Sequence, residues 1–381
     1  MEELVQAITA ELESVPGIAS VTIAGDYRRL LPVTDGLVFV ASATHSNDIA
    51  LPAWLSPGGN QVSLCGLHGA AYSGERAGVN VGVFVYAESS FGTALALHTG
   101  SPAYLEALGA QDDLFAASEA EYFATLGVDF VPPHRRELEL MGDTAAPRLL
   151  TLADIPGVLH VHSTYSDGSA SIYDLALTAR AAGFRFLGIA DHSQTAVYAR
   201  GLTVERLREQ WEEIDRVNHL PELGGLRILR GIESDILADG SLDYPDEILS
   251  QLHFVVASVH SQFRLPRDEM TARLVRAASH PRVNILGHLT GRILLGRPGY
   301  DFDFDAVLAA CAKNGTALEL NSNPHRMDIG WEMCLAARRV GVKVAINPDA
   351  HHPEHLTHVR YGLNIANKAG LRREDLLEIK D

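Results

Sequence analysis

His160 and His162 lie two residues apart in the run VLHVH (158–162), a spacing that on a strand turns both imidazoles to one face, where they can chelate one cation. Alone, such a pair is more often structural than functional. It does not stand alone. Asp167 follows in a Ser-Asp-Gly turn, and His192, Glu233, His260 and His288 end or directly follow four successive apolar runs, FRFLGIAD (184–191), LRILRGIE (226–233), HFVVASVH (253–260) and VNILGH (283–288). Asp349 and His351 come after a further run, VKVAIN (342–347). Six imidazoles and three carboxylates in corresponding positions are not what scattered histidine would give. Mixed nitrogen and oxygen donors suit Zn²⁺, Mn²⁺ or Fe²⁺, whereas carboxylates alone would point to Mg²⁺ or Ca²⁺. Nine donors exceed the needs of one ion, so about two to three are implied, with Glu233 the natural bridge because its two oxygens can be shared. Paired ions recur in phosphate ester hydrolysis, where they acidify a water for in-line attack and balance charge on the phosphoryl oxygens, with no side-chain nucleophile.

Such donors need a scaffold that brings strand ends together. From about Leu152 onward, apolar runs alternate with amphipathic helical stretches, the pattern of βα units and a parallel sheet. TALELN (316–321) completes a set of seven such runs. Helices are expected at 172–182, 204–217 and 304–313, with Gly183 and Gly315 as C-terminal stops. In a barrel of parallel strands, functional side chains come from the C-terminal strand ends and the loops that follow, which is where the nine donors fall. The first 140 residues read differently: a helix at 2–14, strands within VTIAGDYRRLLPVTDGLVFVAS and VNVGVFVYA, and short helices between Thr93 and Thr125. Pro132-Pro133 and Ala145-Ala146-Pro147 mark a linker, placing the expected domains at 1–145 and 152–381.

The composition narrows the class. Over 381 residues, 46% are hydrophobic, yet no stretch reaches the roughly 18 apolar residues of a membrane span. A soluble globular protein without a membrane partner is expected, and the acidic start MEELVQAITAELESV, unlike a secretory signal, makes the cytoplasm the default. Three cysteines, Cys65, Cys311 and Cys334, form no close pair and read as buried free thiols. Seventeen histidines against four lysines direct attention to metal ligands. The net charge of −17 argues against electrostatic coating of nucleic acid. Residues 1–140 hold 17 Asp/Glu and five Arg, a net of −12, leaving −5 for the remainder.

Arg292 and Arg297 flank a Gly-rich loop after His288, and Arg326 follows the sixth run, all at strand ends where a phosphate would arrive. Arginine clamps phosphate bidentately; ordinary ion-paired loop arginines are an equal alternative. Arg28-Arg29 and Arg135-Arg136 read as ion-paired surface groups, His352, His355 and His358 as solvent-exposed helix positions, and Trp211 and Trp331 as core.

At LHVHSTYSDGSASI, GIADHS, GIESDI, ASVHS, ILGHLTGR and NPDAHH the sequence resembles the PHP (polymerase and histidinol phosphatase) domain. The resemblance implies a distorted (β/α)7 TIM-like barrel. It also implies three ligand sets: His160, His162, Glu233 and Asp349 around the activating ion, Glu233, His260 and His288, and lastly Asp167, His192 and His351. LDYPDEIL, GHLTGRILLGRPGY and NSNPHRMD are most similar to the PHP domain of bacterial family X DNA polymerases. Upstream, GIASVTIAGDYRRLLPVTDGLVFVAS and FGTALALHTGS resemble that family's palm, and TLGVDFVPPHRRE the approach to the PHP domain, so an α+β palm- and thumb-like nucleotidyltransferase remnant is expected before the barrel. Nothing in the chain matches the small lyase domain and fingers that precede the palm in such polymerases. Of three palm aspartates only Asp35 has a counterpart; Leu37 and Gly82 occupy the other positions, and Asp26 follows Gly25 where the family places Ser. One carboxylate does not hold two Mg²⁺ ions, so no polymerase activity is expected. The implied activity is hydrolysis of phosphodiesters at DNA ends, single-stranded or primer 3′ ends, as a 3′→5′ exonuclease in DNA repair. The alternatives are a small-phosphomonoester phosphatase of the histidinol-phosphatase type and a non-catalytic DNA-repair accessory module.

Overall fold

The computed structural model describes residues 1–44, 49–57, 62–64, 67–143 and 148–378, with only the backbone for 62–64, 67 and 68. Cys65 lies outside these. The chain divides into two compact units, Met1–Ala146 and Pro147–Asp381.

In the first unit a mixed sheet runs in the order β1-β2-β6-β5-β3, with β4 paired to β5. Its strands are β1 (Ile18–Ala24), β2 (Leu37–Ala43), β3 (Leu55–Pro57), β4 (Val62–Leu64), β5 (Leu67–Arg76) and β6 (Val79–Ala87). Alternation in VNVGVFVYA sends Val81, Val83 and Val85 to one face, where the helix Glu2–Glu13 lays down Val5, Ile8 and Leu12 at helical spacing. The opposite face packs Tyr86 and Val40 against Ala94 and Leu95 of the helix Phe91–Thr99.

The arginine pairs of this unit form ion pairs but not at the surface, contrary to expectation. Arg136 is fully buried and Arg29 and Arg135 nearly so. Glu119 accepts two bonds from Arg28, at 2.8 and 2.7 Å, and another from Arg136, while Arg29 bonds Glu137 at 2.9 Å and Asp26 at 2.5 Å. Burial favours the neutral acid at Glu119, yet these guanidiniums outweigh it and hold the carboxyl below its usual range.

The second unit is a nearly closed barrel of parallel strands: β7 (Gly157–Val161), β8 (Phe186–Ile189), β9 (Arg227–Asp235), β10 (Phe254–Ser258), β11 (Ile285–Leu286), β12 (Ala317–Asn321) and β13 (Val344–Asn347). Neighbours in sequence are neighbours in the sheet. Past β13 the chain returns to β7, with His162 N–H donating to the Ala350 carbonyl at 2.8 Å and Ala350 N–H to that of His160 at 3.2 Å. β7, β10 and β12 are buried along their whole length, as strands covered on both faces must be. Phe254 plugs the interior, and only glycine fits beside it: a Cβ on Gly231 or Gly188 would come within 2.1 or 2.6 Å of its ring. Helices cover the outside, among them Ile172–Ala181, Val204–Asn218 and Phe304–Asn314, the last capped by Asp303 and stopped by Gly315 at φ +75°. Trp211 and Trp331 are core residues, and Cys311 and Cys334 are buried thiols. Among the described residues no helix is long and apolar enough to cross a membrane.

Candidate metal centre

All nine donors converge at the C-terminal mouth of the barrel. His160 lies in β7 and His162 just after it, Glu233 in β9, and the others in the turns that follow β7, β8, β10, β11 and β13. Glu233 is central: its Oε1 lies 3.3 Å from His160 Nε2, 3.2 Å from His260 Nε2 and 2.9 Å from His288 Nε2. Asp349 Oδ1 stands 3.3 Å from His162 Nε2 and 3.7 Å from His160 Nε2. On the outer side Asp167 faces His192 Nε2 at 3.6 Å and His351 Nε2 at 3.4 Å. Gly168 makes the turn under Asp167 possible, since a Cβ there would sit 2.2 Å from the His162 carbonyl. Three donor groups have the compactness that holds an ion: His162, Asp167, His192 and His351; His160, His162 and Asp349; His192, Glu233 and His260. His162 and His192 are each shared by two groups, whereas the resemblance assigns each to one set. His288 stays with its implied partners, 3.3 Å from His260 and against Glu233.

Behind the donors stands a layer of acceptors that the strand-end pattern did not reveal. Glu319, fully buried in β12, takes the Nδ1 proton of His160 at 2.7 Å and the His288 backbone N–H at 2.8 Å, and is held by the amides of Asn321 and Asn347. Asp235 does the same for His260 Nδ1 at 2.6 Å. Both bonds hold the proton on Nδ1 and aim Nε2 toward Glu233, the orientation a metal-binding imidazole needs. Asp191 gathers Ser163, Ser166 and Gln210 behind the β7 turn. Burial raises its pKa to about 6.

The donor set fits divalent ions. Burial alone would neutralise Glu233 and Asp349, yet the surrounding imidazoles keep both well below the ordinary carboxylate range. Burial and the like-charged His351 and His192 push His162 down to about 3, so it is neutral, with its lone pair available. His160 Nε2, both nitrogens of His162, and His192 Nδ1 are buried without a hydrogen-bond partner, as is Glu233 Oε2. His192 Nδ1 does lie 3.0 Å from that oxygen, but the pair is not aligned as donor and acceptor. Buried polar atoms left orphaned together are costly unless something absent from the protein chain satisfies them.

The PHP domain family model matches residues 159–323, the stretch that carries seven of these donors and Glu319. The chain is 30% identical over 207 residues to a probable phosphatase of Aliivibrio fischeri, covering 51% of this chain and 77% of that protein. It belongs to the PHP family. The chain is also 40% identical over 267 residues, 69% of its length, to the DNA polymerase/3′-5′ exonuclease PolX of Bacillus subtilis. The chain spans about half of that relative's length, 46%. A probable phosphatase of a Thermoanaerobacter species is 32% identical over 169 residues, 42% of this chain and 66% of the relative.

Of the three arginines expected around the PHP site, only Arg326 points a guanidinium at a donor, its Nε 3.4 Å from Asp349 Oδ2. Arg292 bonds the carbonyls of Arg326, at 3.0 Å, and Met327; Arg297 bonds that of Gly291 at 2.8 Å and lies over Phe263. These two brace the loop. His355 and His358 are half-buried and stacked 4.6 Å apart, not solvent-exposed as the helical reading had it; only His352 is exposed. In the first unit a cavity of about 620 Å³ is lined by Gly25, Asp26, Asp35, Leu37 and Gly82 among others.

Proposed function

We propose that the barrel hydrolyses phosphodiesters at DNA ends as a 3′→5′ exonuclease serving repair in the cytoplasm, with the nine convergent residues holding two or three Mn²⁺, Zn²⁺ or Fe²⁺ ions. The observation that carries this reading is the trio of linked donor groups with orphaned buried atoms, opening beside Arg326. Bound divalent ions supply Lewis-acid chemistry: they stabilise charge on phosphoryl oxygens and lower the pKa of water. The protein's own groups do the rest. The carboxylates of Asp167, Glu233 and Asp349 offset part of the charge of the bound cations. Arg326 adds a donor fork for a phosphoryl oxygen, and Glu319 and Asp235 hold His160 and His260 in the tautomer and rotamer that ligation requires. DNA is favoured as substrate by the 40% identity to PolX, which extends beyond the barrel.

The first unit serves as an inactive palm. Leu37 is buried, Gly82 brings no ligand, and Asp26 is paired with Arg29, so Asp35 is left to face the cavity without the partners that two Mg²⁺ ions would need.

The relatives named as probable phosphatases support a second reading, hydrolysis of a small phosphomonoester. A time course on 3′- and 5′-labelled oligonucleotides and on histidinol phosphate, each with Mn²⁺, Zn²⁺ or Mg²⁺, separates the two. Stepwise shortening from the 3′ end is the expected result. Turnover of histidinol phosphate with intact DNA would replace the first reading by the second.

A further inference from the structure

Among the described residues of the second unit, six non-glycine residues have positive φ: Arg200, Gln262, His288, Leu295, Met327 and Asp349. All lie in segments that follow strands at the barrel mouth. For four of them the placement has a visible return. His288 and Asp349 face Glu233 and the other donors, Arg200 bonds the Ser166 carbonyl, and Met327 offers its carbonyl to Arg292. Gln262 is exposed but polar. Leu295 is different. It has φ +57° and its side chain is 93% exposed, so a branched apolar residue occupies a conformation that glycine adopts freely and gains nothing from burial.

The turn that carries it is firmly built. Ile293 and Arg297 exchange backbone bonds at 2.8 and 2.9 Å, Leu294 N–H donates to the His325 carbonyl at 2.7 Å, and the guanidiniums of Arg292 and Arg297 fasten both flanks to backbone carbonyls. The segment it is tied to, 325–327, is the one whose Arg326 reaches Asp349. Near His192 and His260, Tyr198 offers another exposed ring, 6.0 and 6.4 Å from theirs. The turn thus shows one apolar side chain at positive φ to solvent, tied through Leu294 to the segment that carries Arg326.

We infer that Leu295 is a wedge that parts the base of the terminal nucleotide from its neighbour as the phosphodiester behind it enters the metal centre. Leucine is among the side chains that enter base steps, and unstacking a strand end is the least costly place to do so. The continuity of the turn with Arg326 sets the occupant: a nucleobase one sugar away from a phosphate held there. This inference rests on the DNA-end reading of the site.

The test compares the full chain with Leu295→Gly and Leu295→Met, loaded with Mn²⁺. The substrates are an oligonucleotide with 2-aminopurine as its 3′-terminal base and bis(p-nitrophenyl) phosphate. Binding of the oligonucleotide to the wild type, read in stopped flow before hydrolysis releases the labelled nucleotide, should raise 2-aminopurine fluorescence as the base leaves its neighbour. Leu295→Gly should lose that rise and increase KM for the oligonucleotide by roughly 5- to 30-fold, with the small ester unchanged within about twofold. Leu295→Met should keep the rise. The glycine variant should melt no lower than the wild type, since it relieves φ +57°. An unchanged fluorescence rise and KM in Leu295→Gly, with DNA still hydrolysed, would overturn the wedge and leave the DNA reading standing. Equal losses on both substrates would also overturn it, making the turn a brace for the donors. A wild type that neither binds nor cuts DNA would remove both.

Discussion

The two units treat buried charge in opposite ways. In the barrel, nine donors face one another across distances of about 3 to 4 Å with atoms left unpaired. In the first unit, Glu119 is paired with Arg28 and Arg136 within the protein, leaving Nη2 of Arg136 as the buried atom without a hydrogen bond, and the cavity is lined by the carboxylates of Asp26, Asp35 and Glu75 with no imidazole beside them. The contrast teaches that neither space nor charge marks a reactive site. What marks it is charge whose hydrogen-bonding capacity the fold declines to use, held in place by a second layer that is fully used. Glu319 shows that second layer plainly, with four protein groups on its two oxygens.

The largest effect expected from this contrast is on hydrolysis. Changing both His160 and His162 to Ala removes the chelating pair, and activity should fall by orders of magnitude while circular dichroism stays that of the wild type. Elemental analysis should find about two to three transition-metal ions per wild-type chain and fewer in the variant. Full activity in the variant would mean that the donors are placed for some other purpose.

In the first unit the corresponding change should act on stability. Glu119→Gln leaves the buried Arg136 and the partly buried Arg28 underpaired, a loss of roughly 3–5 kcal/mol, with phosphoesterase turnover per folded molecule unaffected. The pH dependence follows from the sign of the shift. The folded-state pKa of Glu119 is depressed, so its contribution is fully present above the unfolded value of about 4.3 and is lost as pH falls below it toward the folded pKa. Protection factors of the amides in residues 91–125, corrected for the intrinsic pH dependence of exchange, should therefore fall on acidification in the wild type, and less so in Glu119→Gln. Acid-independent protection there would show that the network holds no net energy.

A smaller effect should come from the second layer. Glu319→Gln keeps the shape but weakens the pull on the His160 Nδ1 proton, so metal affinity or activity should drop by roughly 10- to 100-fold without loss of fold. Titration with Mn²⁺, followed by activity, would show it as a rightward shift. An unshifted titration would demote Glu319 to ordinary core.

Much of the barrel and of its donors was readable in the sequence, for a physical reason. Parallel strands in a closed sheet end on one rim, so polar residues at the ends of successive apolar runs must meet, whatever the intervening loops do. Glu319 escaped because it lies within β12 rather than at its end, although one carboxylate in the apolar run TALELN, in the strand that supplies no ligand, was a signal. β3, β4 and β5 escaped because sequences such as LHGAAYSGER are poor in β-branched residues and are held by pairing to β6. The directions of Arg292 and Arg297 were beyond sequence in principle: a guanidinium beside a strand end turns to phosphate or to carbonyls according to loop geometry alone. The stacking of His355 on His358 is a fact of the same kind.

The smallest expected effect is none at all, and it bears directly on the first unit. Asp35 is exposed at the rim of the cavity, has no shared partner with the Glu119 network, and is the only one of the three positions compared with palm aspartates that keeps one. A two-metal nucleotidyl-transfer site would lose nearly everything with any one of its carboxylates, because each ion needs several oxygens. Here Leu37 and Gly82, which line the same cavity as Asp35, have none to give. Asp35→Ala should therefore leave DNA hydrolysis, thermal stability and metal content within the error of the wild type. On a primed template with all four deoxynucleotides, both proteins should add nothing. Template-directed extension by the wild type that vanishes in Asp35→Ala would mean that the cavity finds its missing oxygens elsewhere, Asp26 and Glu75 being the carboxylates within its lining, and the contrast between the two units would collapse.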